Sequence, residues 1–291
     1  MSPKTTVEVA VSDGPFDHDA CFAVAALTLA FRVKLVRTHD PLVMSQAQMR
    51  VGIGQRFELS AGDFDHDQHG APYRMNGVKY AAFGLVWRQF GERICGTSQL
   101  GEAVDRLLVQ PCDAAHTGNL PRLDQGPNPY SVASMLESLN PTWMERELDQ
   151  SLQFDKAVRQ ARKILKRTIA VCRADIEAAI LVRQAAALTD DPRILMFDKK
   201  FPWRKTVVHE FPSVLYVITR ESDRWVVTAV PTEPDGLTLK HPLPADWAGK
   251  FGDELAALTG VPDALHCNTQ TSVITAHSFE GAYQLAKLAL D

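Results

Sequence analysis

The stretch VEVAVSDGPFDHDACFAVAALTLAF, Val7 to Phe31, decides the fold. Val7–Val11 is a short, largely β-branched run, the pattern of a buried strand. Ser12–Asp19 is dense in charge and turn formers, so the strand ends in a loop. Ala20–Phe31 is apolar enough for a buried helix, with Asp17 or Asp19 placed to cap it. Working outward, Val33–Thr38 is a second strand ending at the turn His39-Asp40-Pro41, and Met49–Gly54 contains a third. Lys79–Gly91 reads as a helix closed by glycine. Strand, helix and strand in short succession predict an α/β domain with a parallel sheet and helical crossovers. In such sheets ligands gather at the carboxyl ends of the strands.

The rest of the 291-residue chain divides by texture. The segment "NPTW" predicts the start of a long helix, with Asn140 as cap and Pro141 in the first turn. Leu148, Leu152, Ala161, Leu165, Ile169, Cys172, Ile176 and Ile180 trace one apolar face of it. Its other side carries RQARKILKR, Arg159–Arg167, which reads either as a solvated face or as a strip for backbone phosphates. After Phe201, "VVHEF", "SVLYVITRE" and "RWVVTAVPT" read as strands joined by short, antiparallel connections. Gly249–Leu258 and Gly281–Leu290 read as helices. The expected organisation is an α/β domain over 1–135, a helical connector over 136–200 and a smaller α+β domain over 201–291.

Composition excludes several classes. Apolar residues make up 45% and charged residues 23%, as in an ordinary globular domain. A net charge of -4 provides no general field for nucleic acid. The five cysteines are scattered and form no CxxC pair, which argues against a disulfide scaffold or zinc ribbon and fits a reducing, cytoplasmic setting. No signal sequence and no membrane span are expected.

Four clusters of carboxylates and imidazoles fall after predicted strands or in nearby loops: Asp13, Asp17, His18 and Asp19; His39 and Asp40; Asp65, His66, Asp67 and His69; and Asp113 with His116. Each taken alone is an ordinary turn or helix cap. Together, such donors suit manganese, magnesium, iron or zinc. Bound ions of this kind activate water against phosphorus. The two readings, turns or a metal site, stay open at this level.

The order of several motifs resembles the melanocyte-proliferating-gene exonuclease family, related to the DHH phosphoesterases, over nearly the whole chain. Its "THxGxFHxDE" is matched by VSDGPFDHDA, its "VRTRDP" by VRTHDP (Val36–Pro41), and its "VDVGGxYD" by VGIGQRFE (Val51–Glu58). Its "RYDHHQ" is matched by DFDHDQ (Asp63–Gln68), its "VDAVDNG" by CDAAHTG (Cys112–Gly118), and its "RLNPTW" by ESLNPTW. The resemblance implies a DHH-like first domain and a divalent-metal exonuclease, 3'-5' on RNA or DNA ends. Manganese is the leading metal, with magnesium and zinc as alternatives; the sequence leaves the oligomeric state open, with a homo-oligomer as one option. It further implies Asp17, Asp19, His66 and Asp113 as metal ligands and Asp65, His66 and Asp67 as catalytic residues. His277, Arg162 and Lys166 are the expected phosphate contacts.

The chain departs from that pattern at chemically important places. Ser12 stands for the first histidine, Gly52 for an aspartate that would bridge two ions, and Asp67 for the second histidine of the DHH motif. Ile274 and Thr275 stand for two glycines. His18, His39, His69 and His116 are the candidate replacement ligands. An alternative expectation is therefore a catalytically inactive nucleotide- or nucleic-acid-binding protein, or a structural one, on the same scaffold.

Overall fold

The computed structural model describes residues 4–68, 70–119 and 130–291. His69 and part of the loop between His116 and Ser131 lie outside the described residues. The chain forms two compact units, Met1–Arg173 and Ala174–Asp291.

In the first unit the order is β1 (Thr6–Val11), α1 (His18–Ala30), β2 (Arg32–Arg37), α2 (Pro41–Gln46), β3 (Met49–Val51), β4 (Phe57–Glu58) and β5 (Asp63–Phe64). Then come α3 (Ala82–Cys95), α4 (Ser98–Val104), α5 (Gln110–His116) and α6 (Val132–Glu137). The helix α7 (Gln150–Leu188) carries the chain into the second unit. The sheet order is β2-β1-β3-β5-β4. β1 pairs in parallel with β2 and β3, and β3 with β5. The expected parallel sheet is corrected at one edge, where β4 runs antiparallel to β5. The reason is length: a single turn, Leu59–Ala61, joins them, too short for a crossover.

Helix α1 is buried on nearly all sides, as its uniformly apolar sequence requires. Phe22 stacks on Phe83 of α3 with ring centroids 5.2 Å apart. The long helix begins at Gln150, not at Asn140. The Asn140 side chain instead pairs with the backbone of Phe16, accepting its N–H at 2.9 Å and donating to its carbonyl at 2.7 Å. Leu148 and Leu152 are exposed. The buried stripe of α7 within the first unit is Phe154, Ala157, Val158, Ala161, Leu165 and Cys172.

The second unit holds β6 (Ile194–Phe197), α8 (Arg204–Glu210), β7 (Tyr216–Glu221), β8 (Arg224–Ala229), α9 (Gly252–Thr259), β9 (Ala264–Cys267), β10 (Val273–Ala276) and α10 (Phe279–Leu288). Its sheet order is β6-β7-β8-β10-β9, antiparallel except for β6 and β7. Alternation along the strands divides two cores. Tyr216, Ile218, Val227 and Ile274 pack with Leu255 and Leu285, whereas Leu195 and Val217 pack with Val182, Trp203 and Val207. The expected strand "VVHEF" is therefore wrong. Val207 lies on the inner face of α8, because so short an apolar run suits either period and the packing partner chooses. Both units combine helices with a mixed sheet, parallel for the most part in the first and antiparallel for the most part in the second, and no helix among the described residues is long and apolar enough to cross a membrane. All five cysteines are buried, and no disulfide joins described residues.

The buried His18 of the first unit sets a pH dependence. His18 Nδ1 donates to Glu137 Oε1 at 2.7 Å, and Nε2 donates to the Cys112 carbonyl at 3.1 Å. Both partners are acceptors, so the ring carries two protons. Burial acts against that charge, but the bonds to Glu137 and Cys112 and the nearby Asp19 outweigh it and raise the His18 pKa. Unfolded histidine titrates near ~6.5. The stabilisation is thus complete below that value and is lost as pH rises through the higher folded value. Urea unfolding of metal-free protein should show stability falling above about pH 6.5, by at most about 1.4 kcal/mol per pH unit. His18→Gln should flatten that slope; an unchanged slope refutes the assignment.

Candidate metal centre

Three loops meet at the carboxyl ends of β1 and β5 and at the end of α5. Asp17 caps α1, accepting the Ala20 N–H at 2.8 Å, and so fixes the start of the helix that carries Asp19. Asp19 is buried, and its two oxygens accept the N–H groups of Ala82 and Phe83 at 2.9 and 2.8 Å. It thereby caps α3 from another helix, where the helix dipole favours an anion. Each oxygen keeps a free lone pair.

His66 follows β5 and is buried. His116 ends α5 and is half-buried. Their Nε2 atoms are 3.2 Å apart. One donor atom each from Asp19, His66 and His116 lies within 4.8 Å of the other two. Two imidazoles and one carboxylate with open positions beyond them form a donor set suited to a catalytic divalent ion. His66 Nδ1 is also buried without a hydrogen-bond partner among the described residues. Burial raises the Asp19 carboxyl above its ordinary value and Asp17 adds to this, while His116, the Phe83 N–H and His66 oppose it. A buried carboxylate beside converging imidazoles calls for a cation. The residues present therefore fit a single divalent ion. A cavity of about 180 Å³ opens on the cluster, lined also by Ser12, Gly52, Asp67, Phe16 and Phe154.

The remaining expected site residues take other positions. Asp17 lines the same cavity and faces the far nitrogen of His116, with Oδ2 3.7 Å from Nδ1. Asp65 shapes its own loop, accepting the Gln55 N–H at 2.7 Å and the Asp67 N–H at 3.0 Å. Asp67 is exposed at the cavity, 3.5 Å from His66 Nε2. Asp113 is fully buried but outside the three-donor cluster. One of its oxygens accepts from Arg74 Nη1 at 2.6 Å and the other from the Gly84 N–H at 3.0 Å. Arg162 donates to Thr28 near the other end of α1, and Lys166 is exposed, so neither is brought to the cluster. His277 is exposed in the second unit. His116, expected only as a candidate replacement ligand, is the third member of the cluster, whereas Asp113 is not one of the three. Their shared cluster was the available signal, three residues apart on one helix.

The second unit has a larger cavity of about 730 Å³ beside Trp203 and Thr275. Lys200, Arg204, Lys205 and Arg224 line it together with Asp175, Glu221 and Asp235. The mixture of signs gives it no strong field for a polyanion.

Comparison with known proteins agrees with the motif order. A family model for MYG1 exonucleases, described as "Uncharacterised protein family (UPF0160)", matches residues 8–290. A MYG1 protein of Schizosaccharomyces pombe is 26% identical, covering 98% of each chain. The MYG1 exonuclease of Mus musculus is 24% identical over 97% of this chain and 84% of its own. Among solved structures, a "pGpG-specific phosphodiesterase - PggH from Vibrio cholrae" aligns over 98% of this chain and 99% of its own, at 12% identity and a TM-score of 0.34.

Proposed function

The chain belongs to the MYG1 exonuclease family, and on that premise we propose that it hydrolyses phosphodiester bonds at RNA or DNA ends with one divalent ion at Asp19, His66 and His116. The observation that carries this is the convergence of those three donors on a cavity at the strand ends. The family supports a phosphodiesterase-type reaction, and the donor set supports the metal. Two nitrogens and one oxygen favour manganese or zinc over magnesium, which prefers oxygen ligands in an octahedron. An ion there would polarise a phosphoryl oxygen. Asp19 is held in place by the α3 N–H groups, so this donor is arranged before any ligand arrives. Asp67 faces the substrate side of the cavity and would repel phosphate unless protonated or charge-compensated, which limits how deeply an anion sits.

The alternative, binding without turnover, is favoured by one observation. The Arg74 guanidinium already neutralises Asp113, so a second cation there would meet like charge, and Gly52 offers no side chain to hold one. One experiment decides between the readings. Chelator-stripped protein is reloaded with manganese, zinc or magnesium, and the metal per chain is measured alongside cleavage of end-labelled RNA and DNA. The expected result is one ion per chain with 3'-5' shortening that chelator abolishes. One ion with tight binding and no cleavage supports the silent reading; no ion overturns the metal centre.

A further inference from the structure

Beside the three-donor cluster stands a second group of residues with its own chemistry. β1 and β2 are in parallel register, Val11 opposite Arg37, so the loops after them emerge side by side. The Thr38 N–H donates to the Val11 carbonyl at 2.8 Å and locks that exit. Arg37 Nε donates to the Ser12 carbonyl at 2.9 Å, and its Nη2 donates to the Gly14 carbonyl, which pins the turn. In this frame Ser12 Oγ lies 3.3 Å from His39 Nε2, and His39 Nδ1 is hydrogen-bonded to Asp13 Oδ1.

The hydrogen-bond directions follow from the partners. A carboxylate only accepts, so His39 Nδ1 carries the proton and Nε2 presents a lone pair to Ser12. The Gly14 N–H donates to Ser12 Oγ at 3.2 Å, which leaves the hydroxyl proton for His39. Serine, imidazole and carboxylate in this order form an activated-nucleophile relay, recognised by geometry and not by sequence position. Ser12 lines the same cavity as Asp19, His66 and His116. His39 and Asp13 are exposed on its outer side, open to proton exchange with solvent.

We propose that Ser12 is a nucleophile toward phosphorus esters entering this cavity, with His39 as its base and Asp13 as a positioning residue. The substrate class rests on the phosphodiesterase reading above; the nucleophile does not require the metal. As Ser12 Oγ bonds to phosphorus, its proton passes to His39 Nε2. The bond from phosphorus to the leaving oxygen breaks, and that oxygen takes the proton from His39. Water then attacks the phosphoserine. His39 receives the water proton, the phosphorus–Oγ bond breaks, and the proton returns to Oγ.

The test uses full-length, chelator-stripped protein and diisopropyl fluorophosphate, whose fluoride leaves where the ester oxygen would. Peptide mass spectrometry should place one diisopropylphosphoryl group on Ser12, and Ser12→Ala should remove it. His39→Ala should slow labelling by about 10²-fold or more, the usual share of a general base. Asp13→Ala should slow it as well, and Asp13→Glu should restore most of the rate. Thermal melts confirm that each variant is folded. Labelling of Ser12 no faster than of other serines, or unchanged in His39→Ala, overturns the proposal. Metal uptake without labelling sinks only the nucleophile, and labelling without metal uptake sinks only the metal centre.

Discussion

Replacing His116 with alanine should lower metal-dependent hydrolysis by about 10²–10³-fold. An ion contributes several kcal/mol of transition-state charge stabilisation, and each ~1.4 kcal/mol is tenfold in rate. Removing one of three donors leaves Asp19 and His66, too few to hold that ion at working concentrations. The informative partner is Asp113→Asn. That carboxylate sits on the same short helix, yet it is bonded to Arg74 and the Gly84 N–H and stands apart from the cluster. The asparagine variant should therefore keep one ion per chain where it remains folded. Metal content by mass spectrometry, read beside turnover, separates the two. Retention of the ion in His116→Ala and its loss in Asp113→Asn would move the centre to Asp113.

Above about pH 8, where its partner Asp113 is ionised, Arg74→Met should cost about 3–5 kcal/mol of folding stability, the usual result of leaving a buried charge without its partner. Arg74 is buried, donates to Asp113 at 2.6 Å and to Asp105 at 2.9 Å, and lies 4.0 Å over the Tyr80 ring. Burial opposes the Arg74 charge, but the two aspartates more than offset this and raise its pKa. Burial likewise pushes the Asp113 carboxyl up to about 8 and Asp19 adds to this, against the pull of Arg74 and the Gly84 N–H. Without the guanidinium, Asp113 must bind a proton or remain as an isolated charge. A carboxyl with a raised folded pKa stabilises below its unfolded value and loses that contribution as pH rises through the folded one. The deficit of Arg74→Met should therefore shrink toward acid pH. Adding Asp113→Asn should recover a large part of it above about pH 8, where the Asp113 carboxyl would otherwise ionise. Urea unfolding of the four corners of this cycle measures the coupling; a loss under 1 kcal/mol in Arg74→Met would show that the pair is dispensable.

Much of the local structure was readable because it depends on neighbours in the chain. The β-branched run at Val7–Val11 and the apolar run after it fold as β1 and α1, with Asp17 as cap. The helix ending near Gly91 extends to Cys95, because its glycine lies inside the packed face and Gly96 supplies the left-handed cap. The errors fall where a distant partner decides. Asn140 has the features of a helix cap, but the Phe16 backbone captures its side chain. Val207 and Val208 suit a strand until Trp203 and the face of β7 offer a helix its packing surface.

The candidate site divides in the same way. Sequence alone determined that carboxylates and imidazoles accumulate after strands, that the cysteines form no framework, and that the motif order resembles one family. Only the tertiary structure decided which of those groups meet. On α5, three residues turn the side chain by about 300°, so Asp113 and His116 differ in direction by about one sixth of a turn. Gly84 lets α5 approach so closely that an added Cβ would lie 1.9 Å from an Asp113 oxygen. That contact commits Asp113 to Arg74 and leaves His116 facing Asp19 and His66. Spacing along the chain fixes a local direction; how closely two helices dock fixes what lies in that direction.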